Sequence, residues 1–254
     1  MSTKDSFWQV TGCRGWKLLA SILCLALLSA APTALTCAGT TVFLDEQFES
    51  LARWQPQPFA KIPRHSSYTA VMHEGRPCLL MESNNSASAL VLNQPFNVYE
   101  FPRLAWRWKV STVYRKGDSS RKDGDDYPAR LYVMFAYDPE HALLAKRIKY
   151  QLAKAVYGQY PPDSSISYIW DNQVTDAAVI TNAYTSAAKM IPVSSGWDKV
   201  NTWQEYTVDI VRDYRLAFGH DPLATATLAV MNDSDNTGES SKAWIQYIRI
   251  FRSP

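Results

Sequence analysis

From residue 41 to residue 251 the chain is a series of short apolar runs in which hydrophobic and polar positions alternate, each closed by turn-forming residues. The clearest run is 103–110. Leu104, Trp106, Trp108 and Val110 fall on one face of an extended segment, and Arg103, Arg107 and Lys109 fall on the other. The first face reads as core. The second reads as a sheet surface open to water or to a ligand, with Arg107 and Lys109 as candidate ligand-binding residues. Residues 129–137 are apolar on both faces except for Arg130, the pattern of a strand covered on both sides in the middle of a sheet. Further strands are predicted at 41–48, 68–73, 78–82, 87–92, 166–170, 177–181, 186–193, 203–211, 225–231 and 243–251. Glu74-Gly75-Arg76-Pro77 and Ser83-Asn84-Asn85-Ser86 supply hairpin turns, and Pro56, Pro58 and Pro63 punctuate a loop.

The period changes at 139–157, where Leu144, Ile148, Leu152 and Val156 recur every four residues with Lys146, Arg147, Lys149 and Lys154 between them. This predicts an amphipathic helix, ended by Gly158 and Pro161-Pro162, with its apolar side docked on the strands and its lysines in solvent. A second, short helical turn is expected at 212–218, before Gly219-His220-Asp221-Pro222. The predicted fold class is therefore all-β: a mostly antiparallel, jelly-roll-like β-sandwich with one inserted α-helix near 140–157.

The first 38 residues follow different rules. Lys4, Arg14 and Lys17 precede the uncharged apolar run 18–31, which is short for a bilayer span, and small residues follow it. We expect residues 1–38 to be a cleavable signal peptide, with Thr36 and Ala38 at the small-residue positions of the cleavage site, and residues 39–254 to form one domain. Export to the periplasm or the extracellular space follows; the alternatives are an uncleaved anchor or a lipid on Cys37. Cys13, Cys24 and Cys37 lie in or beside this leader, so Cys78 alone remains beyond it and no disulfide framework is expected. The balance of charge beyond the leader, 23 basic against 23 acidic residues, argues against a nucleic-acid partner. Nine Trp and fourteen Tyr suit both strand packing and stacking on sugars.

Two segments carry candidate chemistry. Gly124-Asp125-Asp126-Tyr127-Pro128-Ala129-Arg130 places two carboxylates and a guanidinium within seven residues. Adjacent side chains on a strand point to opposite faces, so Asp125 and Asp126 aim together only if the turn is irregular, and an ion pair to Arg130 is the expected arrangement. Asn232-Asp233-Ser234-Asp235-Asn236-Thr237-Gly238 alternates oxygen-bearing side chains as a calcium loop does, with Asp233, Asp235 and Asn236 as candidate ligands. The alternative is an Asx-rich turn between two strands. Trp170, beside Asp171 and Asn172, and Trp197 sit at predicted loop edges, where they would stack on a ligand; Trp106 and Trp108 belong to the core. The chain lacks a Gly-x-Ser-x-Gly elbow, a His-Glu-x-x-His pair, a Cys-x-x-Cys pair and a glycine-rich phosphate loop. His65, His73, His141 and His220 have no metal-ligand spacing.

Several strings are specific together: Leu104 to Val110, Lys122 to Val133, Ile166 to Trp170, Asp213 to Gly219 and Met231 to Gly238. In them the chain resembles the exported Gram-negative bacterial family known as domain of unknown function 3047. The resemblance spans nearly all of 39–254 and implies no established activity. It departs at Ile245-Gln246-Tyr247, where the family tends to carry Gly-Asp. The favoured expectation is a non-enzymatic binding or envelope-associated module for a glycan or similar polar ligand. One alternative is a polysaccharide- or ester-cleaving enzyme using Asp125 or Asp126 with Asp233 or Asp235, and Arg130 as charge stabiliser. The other is a peripheral envelope protein that touches lipid through the basic helix.

Overall fold

The computed structural model describes residues 39–140, 142–157 and 160–253. The leader, its cleavage site, Cys13, Cys24, Cys37 and His141 lie outside the described residues.

The alternating segments become strands in chain order. β1 (Thr41–Glu46) and β2 (Trp54–Pro58) are followed by the hairpin β3 (Ser67–His73) and β4 (Arg76–Asn84). Its two-residue turn, Glu74-Gly75, holds both residues at positive φ, 53° and 76°, which matches the twist of the paired strands. Then come β5 (Ser88–Leu92), β6 (Phe96–Asn97), β7 (Arg103–Val110), β8 (Arg130–Phe135), the helix α1 (Leu144–Tyr157), β9 (Ser164–Asp171), β10 (Ile180–Thr181) and β11 (Ala188–Ser195). β12 (Gln204–Asp209) runs directly into α2 (Ile210–Phe218), because the Asp209 carboxylate accepts from the Arg212 N–H and caps the helix. β13 (Thr225–Met231) and β14 (Ser240–Arg252) complete the chain.

Two sheets face each other in a jelly-roll-like sandwich. One has the order β12-β7-β14-β4-β3, with β1 also on β14; the other has the order β10-β11-β9-β8-β13-β5-β2, with β6 also on β13. All pairings are antiparallel except β9–β11. The core lies between the sheets: Leu104, Trp106, Trp108 and Val110 from β7 meet Leu131, Val133 and Phe135 from β8 and Ile166, Tyr168 and Trp170 from β9. Burying these large side chains is the main favourable term in folding, at roughly 25 cal/mol per Å² of apolar surface. A bulge in β14 between Ile245 and Tyr247 shifts the alternation so that Ile245, Ile248 and Ile250 all face inward.

Three expectations are corrected. β2, read as a proline-punctuated loop, is a strand, and it accommodates Pro56 and Pro58 because it is the outermost strand of its sheet. The strand expected at 177–181 shrinks to Ile180–Thr181. α1 forms but starts at Leu144 and not at 139, and it does not bury its apolar positions at Leu144 and Ile148, which are exposed. Instead Tyr150 anchors the helix, stacked on Tyr137 at 4.0 Å between ring centroids. Among the described residues, no helix is long and apolar enough to cross a membrane.

Candidate functional site

Arg130 is the first residue of β8, and its backbone is flanked by Ile169 of β9 and Met231 at the end of β13. This register brings the 124–130 loop and the 232–238 loop to one rim of the sandwich. The polypeptide tightens there: a 3-10 turn, Lys122–Gly124, ends at Asp125, and the Asp126 N–H donates back to the Gly124 carbonyl at 2.8 Å. The irregular turn sends the Asp125 carboxylate to Arg130 and the Asp126 carboxylate to the 232–238 loop.

Arg130 is almost fully buried, and its donors are nearly all used. Nε donates to Asp233 Oδ1 at 3.1 Å, Nη2 to Asp233 Oδ2 and to the Asp125 carbonyl, and Nη1 to the Tyr132 hydroxyl at 3.1 Å. Asp125 Oδ1 lies 3.6 Å from Nη1, and the guanidinium carbon sits 4.1 Å from the centre of the Tyr127 ring. The expected Asp–Arg pair thus exists, but its principal partner is Asp233 and not a neighbour in sequence.

The remaining carboxylates gather round this pair. Asp125 Oδ2 accepts from Asn182 Nδ2 at 2.9 Å. Asp126, fully buried, accepts from the Thr237 N–H at 2.6 Å, while its other oxygen has no hydrogen-bond partner among the described residues. One oxygen each of Asp126, Asp233 and Asp235 lie within 4.8 Å of one another. Four carboxylates around one guanidinium leave an excess of negative charge in a region of low dielectric, which favours protonation. Burial therefore raises the pKa of Asp126, opposed by its bonds from Thr237, and raises that of Asp235, with Asp126 adding to the effect. Burial works against the Arg130 cation, but Asp233, Tyr132 and Asp125 outweigh it and hold its pKa well above the usual value. Burial, aided by Asp126 and Asp125, pushes Asp233 up to about 8 against the pull of Arg130. A cationic Arg130 needs an anionic partner, and both Asp233 oxygens accept from it. The upward shift is accordingly shared by the coupled cluster and not borne by Asp233 alone.

As a metal site the set is all-oxygen and hard, which suits calcium. Asp126, which the sequence did not single out as a ligand, joins Asp233 and Asp235, and Asn236 donates from Nδ2 to the Tyr184 hydroxyl at 3.0 Å. Both Asp233 oxygens are committed to Arg130, so the guanidinium stands where a cation's charge would act.

These groups open onto a cavity of about 390 Å3 lined by Asp125, Arg130, Tyr132, Asn182, Asp233, Asp235 and Asn236, with Tyr184 and Met190 at its sides. Tyr184 is the exposed aromatic of this site, and its hydroxyl ties three loops by donating to the Lys122 carbonyl at 2.9 Å and accepting from Asn236. Sequence reasoning missed Asn182, Tyr184 and Tyr132. The only local signal was an aromatic within the polar string Asn182-Ala183-Tyr184-Thr185-Ser186.

Other sequence candidates lie elsewhere. Trp170 stands next to the loop end of β9 but points inward and cannot stack on a ligand: it is fully buried and its Nε1 donates to the Gly196 carbonyl at 3.1 Å. Asn172 is a buried brace, accepting from the Tyr114 N–H at 2.8 Å and donating to the Asp126 carbonyl at 2.6 Å. Trp197 is exposed, as expected, but does not line the cavity. Arg107 and Lys109 occupy the outer face of the β7 sheet, where Arg107 donates to Gln246 at 3.0 Å. Lys109, expected on an open face, is buried between Trp203 and Trp244, 5.0 and 5.1 Å from their ring centres, and paired with Glu74. A wider groove of about 920 Å3 runs past Ser67, Asn84, Ser111 and Ser240, with the ion pair Lys242–Glu82 in its wall. It has no aromatic side chain apart from His65.

Comparison with solved structures finds distant likenesses. The family 11 carbohydrate-binding module of the cellulosomal cellulase Lic26A-Cel5E of Clostridium thermocellum is 8% identical, with 84% of this chain and 94% of that one covered and a TM-score of 0.43. The carbohydrate recognition domain of Emp47p is 11% identical, covering 85% and 95% with a TM-score of 0.40. A Bauhinia forficata lectin in complex with GalNAc is 11% identical, covering 85% and 99% with a TM-score of 0.40. No curated protein sequence matches the chain. The specific strings that line and brace this rim, from 124–130 to 232–238, fall within residues 52–249, which match one family model, and the chain belongs to that family, described as Protein of unknown function (DUF3047).

Proposed function

We propose that the chain is an exported, non-enzymatic binding module that holds a neutral or cationic sugar unit of a glycan in the Arg130 cavity. The observation that carries this reading is the convergence of an exposed ring, Tyr184, with two amides, Asn182 and Asn236, and a partly exposed carboxylate, Asp235, on one cavity of about 390 Å3. That is the equipment a pyranose requires: an apolar face to lie against, and acceptors and donors spaced for adjacent hydroxyls. The charge of the site sets its selectivity. One guanidinium among four carboxylates repels uronic acids and other anionic sugars, and it accepts hydroxyl or ammonium donors. The location follows from the leader expected at residues 1–38, which places the module in the periplasm or outside the cell.

Calorimetric titration of residues 39–254 with neutral, amino and uronic oligosaccharides tests the proposal. Binding of a neutral or amino glycan that is weakened by Tyr184→Ala supports it, and equal or preferred binding of uronates counts against it.

The cleaving alternative has one observation in its favour, the approach of the Asp126, Asp233 and Asp235 oxygens to within 4.8 Å, close to the carboxylate spacing of retaining glycosidases. Burial argues against it. Asp126 and Asp233, at 0% and 2% exposure, are bonded to Thr237 and Arg130, which weighs against their acting together on a glycosidic bond.

A further inference from the structure

We propose that α1 is a peripheral membrane-contact helix whose exposed apolar side seats in the headgroup region of an anionic bilayer. Among the described side chains of the helix, Tyr150 is the buried one. Tyr150 stacks on Tyr137, and its hydroxyl donates to the Pro162 carbonyl at 3.0 Å. At about 100° per residue, Ile148 lies roughly opposite Tyr150 and Leu144 lies one turn further along the same side. Both are exposed, at 55% and 71%, and Leu143 just ahead of the helix is exposed at 82%. Exposed aliphatic side chains on one helix side are the kind of surface that marks a contact site.

Charge identifies the occupant. The α1 sequence carries Lys146, Arg147, Lys149 and Lys154 and no acidic residue, although the chain beyond the leader is close to neutral. Arg147 and Lys154 are exposed: Arg147 lies about 60° round the helix from Leu144 and donates to the Pro139 carbonyl at 2.5 Å, and Lys154 lies nearer to Tyr150, 4.5 Å from the centre of the Tyr160 ring. A second copy of this helix would bring like charges together, whereas an anionic lipid surface receives the apolar side chains and neutralises the cations in one arrangement. At 14 residues the helix is too short to span a bilayer, so it would lie in the plane of the interface. The cavity is not obstructed by such contact. It sits at the Arg130 end of β8, and α1 follows the other end of that six-residue strand, roughly 17 Å away.

The test is co-sedimentation of residues 39–254, which contain every core residue, with vesicles of phosphatidylcholine alone or mixed with phosphatidylglycerol. The expected result is binding to the anionic vesicles only, weakening with salt, and reduced about tenfold or more both by Leu144→Ser with Ile148→Ser and by Arg147→Glu with Lys154→Glu. Unchanged thermal unfolding of both variants establishes that they fold. Binding that ignores lipid charge and salt, or that survives the Leu144/Ile148 variant, overturns the proposal. So does a self-association, seen by sedimentation velocity, that the same variant abolishes, because it assigns this side to a second copy.

Discussion

Arg130 Nε lies 3.1 Å from Asp233 Oδ1, joining residues 103 positions apart, and this bond closes the two loops over one rim of the sandwich. Both partners are buried, so the pair is most visible when one side is removed. Arg130→Met should destabilise the fold by about 3–5 kcal/mol, because Asp233 is then left uncompensated beside Asp125 and Asp126. Urea unfolding measures it. A loss below about 1 kcal/mol would mean that the pair is solvated and the site far more open than described.

The excess of carboxylates gives the fold an unusual dependence on pH. A carboxyl whose pKa is higher in the folded chain stabilises fully below its unfolded value and loses that contribution as pH rises through its folded value. For Asp233 the window runs from the ordinary 3.8 up to about 8, and Asp126 and Asp235 shift in the same direction. Stability should therefore fall between pH 5 and pH 8, with a slope of up to about 1.4 kcal/mol per pH unit for each proton lost by the cluster. Glu74, lowered to about 2 by its bonds from Lys109 and Trp203, acts in the opposite sense, but only below its ordinary 4.5. Asp126→Asn should flatten the slope; chemical denaturation at several pH values gives both quantities, and stability that climbs from pH 5 to 8 contradicts the assignment.

Asn172 reaches the Asp126 carbonyl only because residue 117 has no side chain. A Cβ on Gly117 would stand 2.1 Å from Asn172 Nδ2 and 2.8 Å from its Cβ. Gly117→Ala should cost about 1–3 kcal/mol and loosen the 124–130 loop, lowering amide protection at Asp126 in hydrogen exchange. An alanine variant as stable as the parent would remove Asn172 from the account as a brace.

Calcium should not raise the melting temperature of the unmodified chain, since Arg130 already supplies the positive charge that both Asp233 oxygens accept. Differential scanning fluorimetry with calcium or chelator reads this directly. A rise of several degrees with calcium would restore the 232–238 loop as a metal site.

The sandwich was legible because burial alternates: the inward faces of β7 and β8 could be read from their residues alone, although the outer face of β7 is covered at Ala105 and Lys109, and Tyr132 and Met134 on the outer face of β8 are only half-buried. The same alternation, extended from Ile166 through Tyr168, puts the Trp170 side chain inside although it stands beside the loop that follows β9. β2 was hidden by two prolines that an edge strand tolerates. The parallel β9–β11 pairing is long-range and leaves no local mark. At the site, both acidic loops were recognisable by composition, yet nothing near Asp125 or Arg130 in sequence points to Asp233 or to Tyr184. Such convergence is a property of register: Arg130 sits opposite Met231 on β13, two residues before Asp233.

The most direct test of the account is backbone NMR of residues 39–254 during titration with a neutral oligosaccharide. Saturable shifts confined to Asn182, Tyr184, Asp235, Asn236 and their neighbours are predicted, and Tyr184→Ala should weaken the affinity about tenfold without altering the spectrum elsewhere. Shifts centred on Trp203, Trp244 and Arg107, with the cavity silent, would contradict it and move the binding surface to the outer face of the β7 sheet.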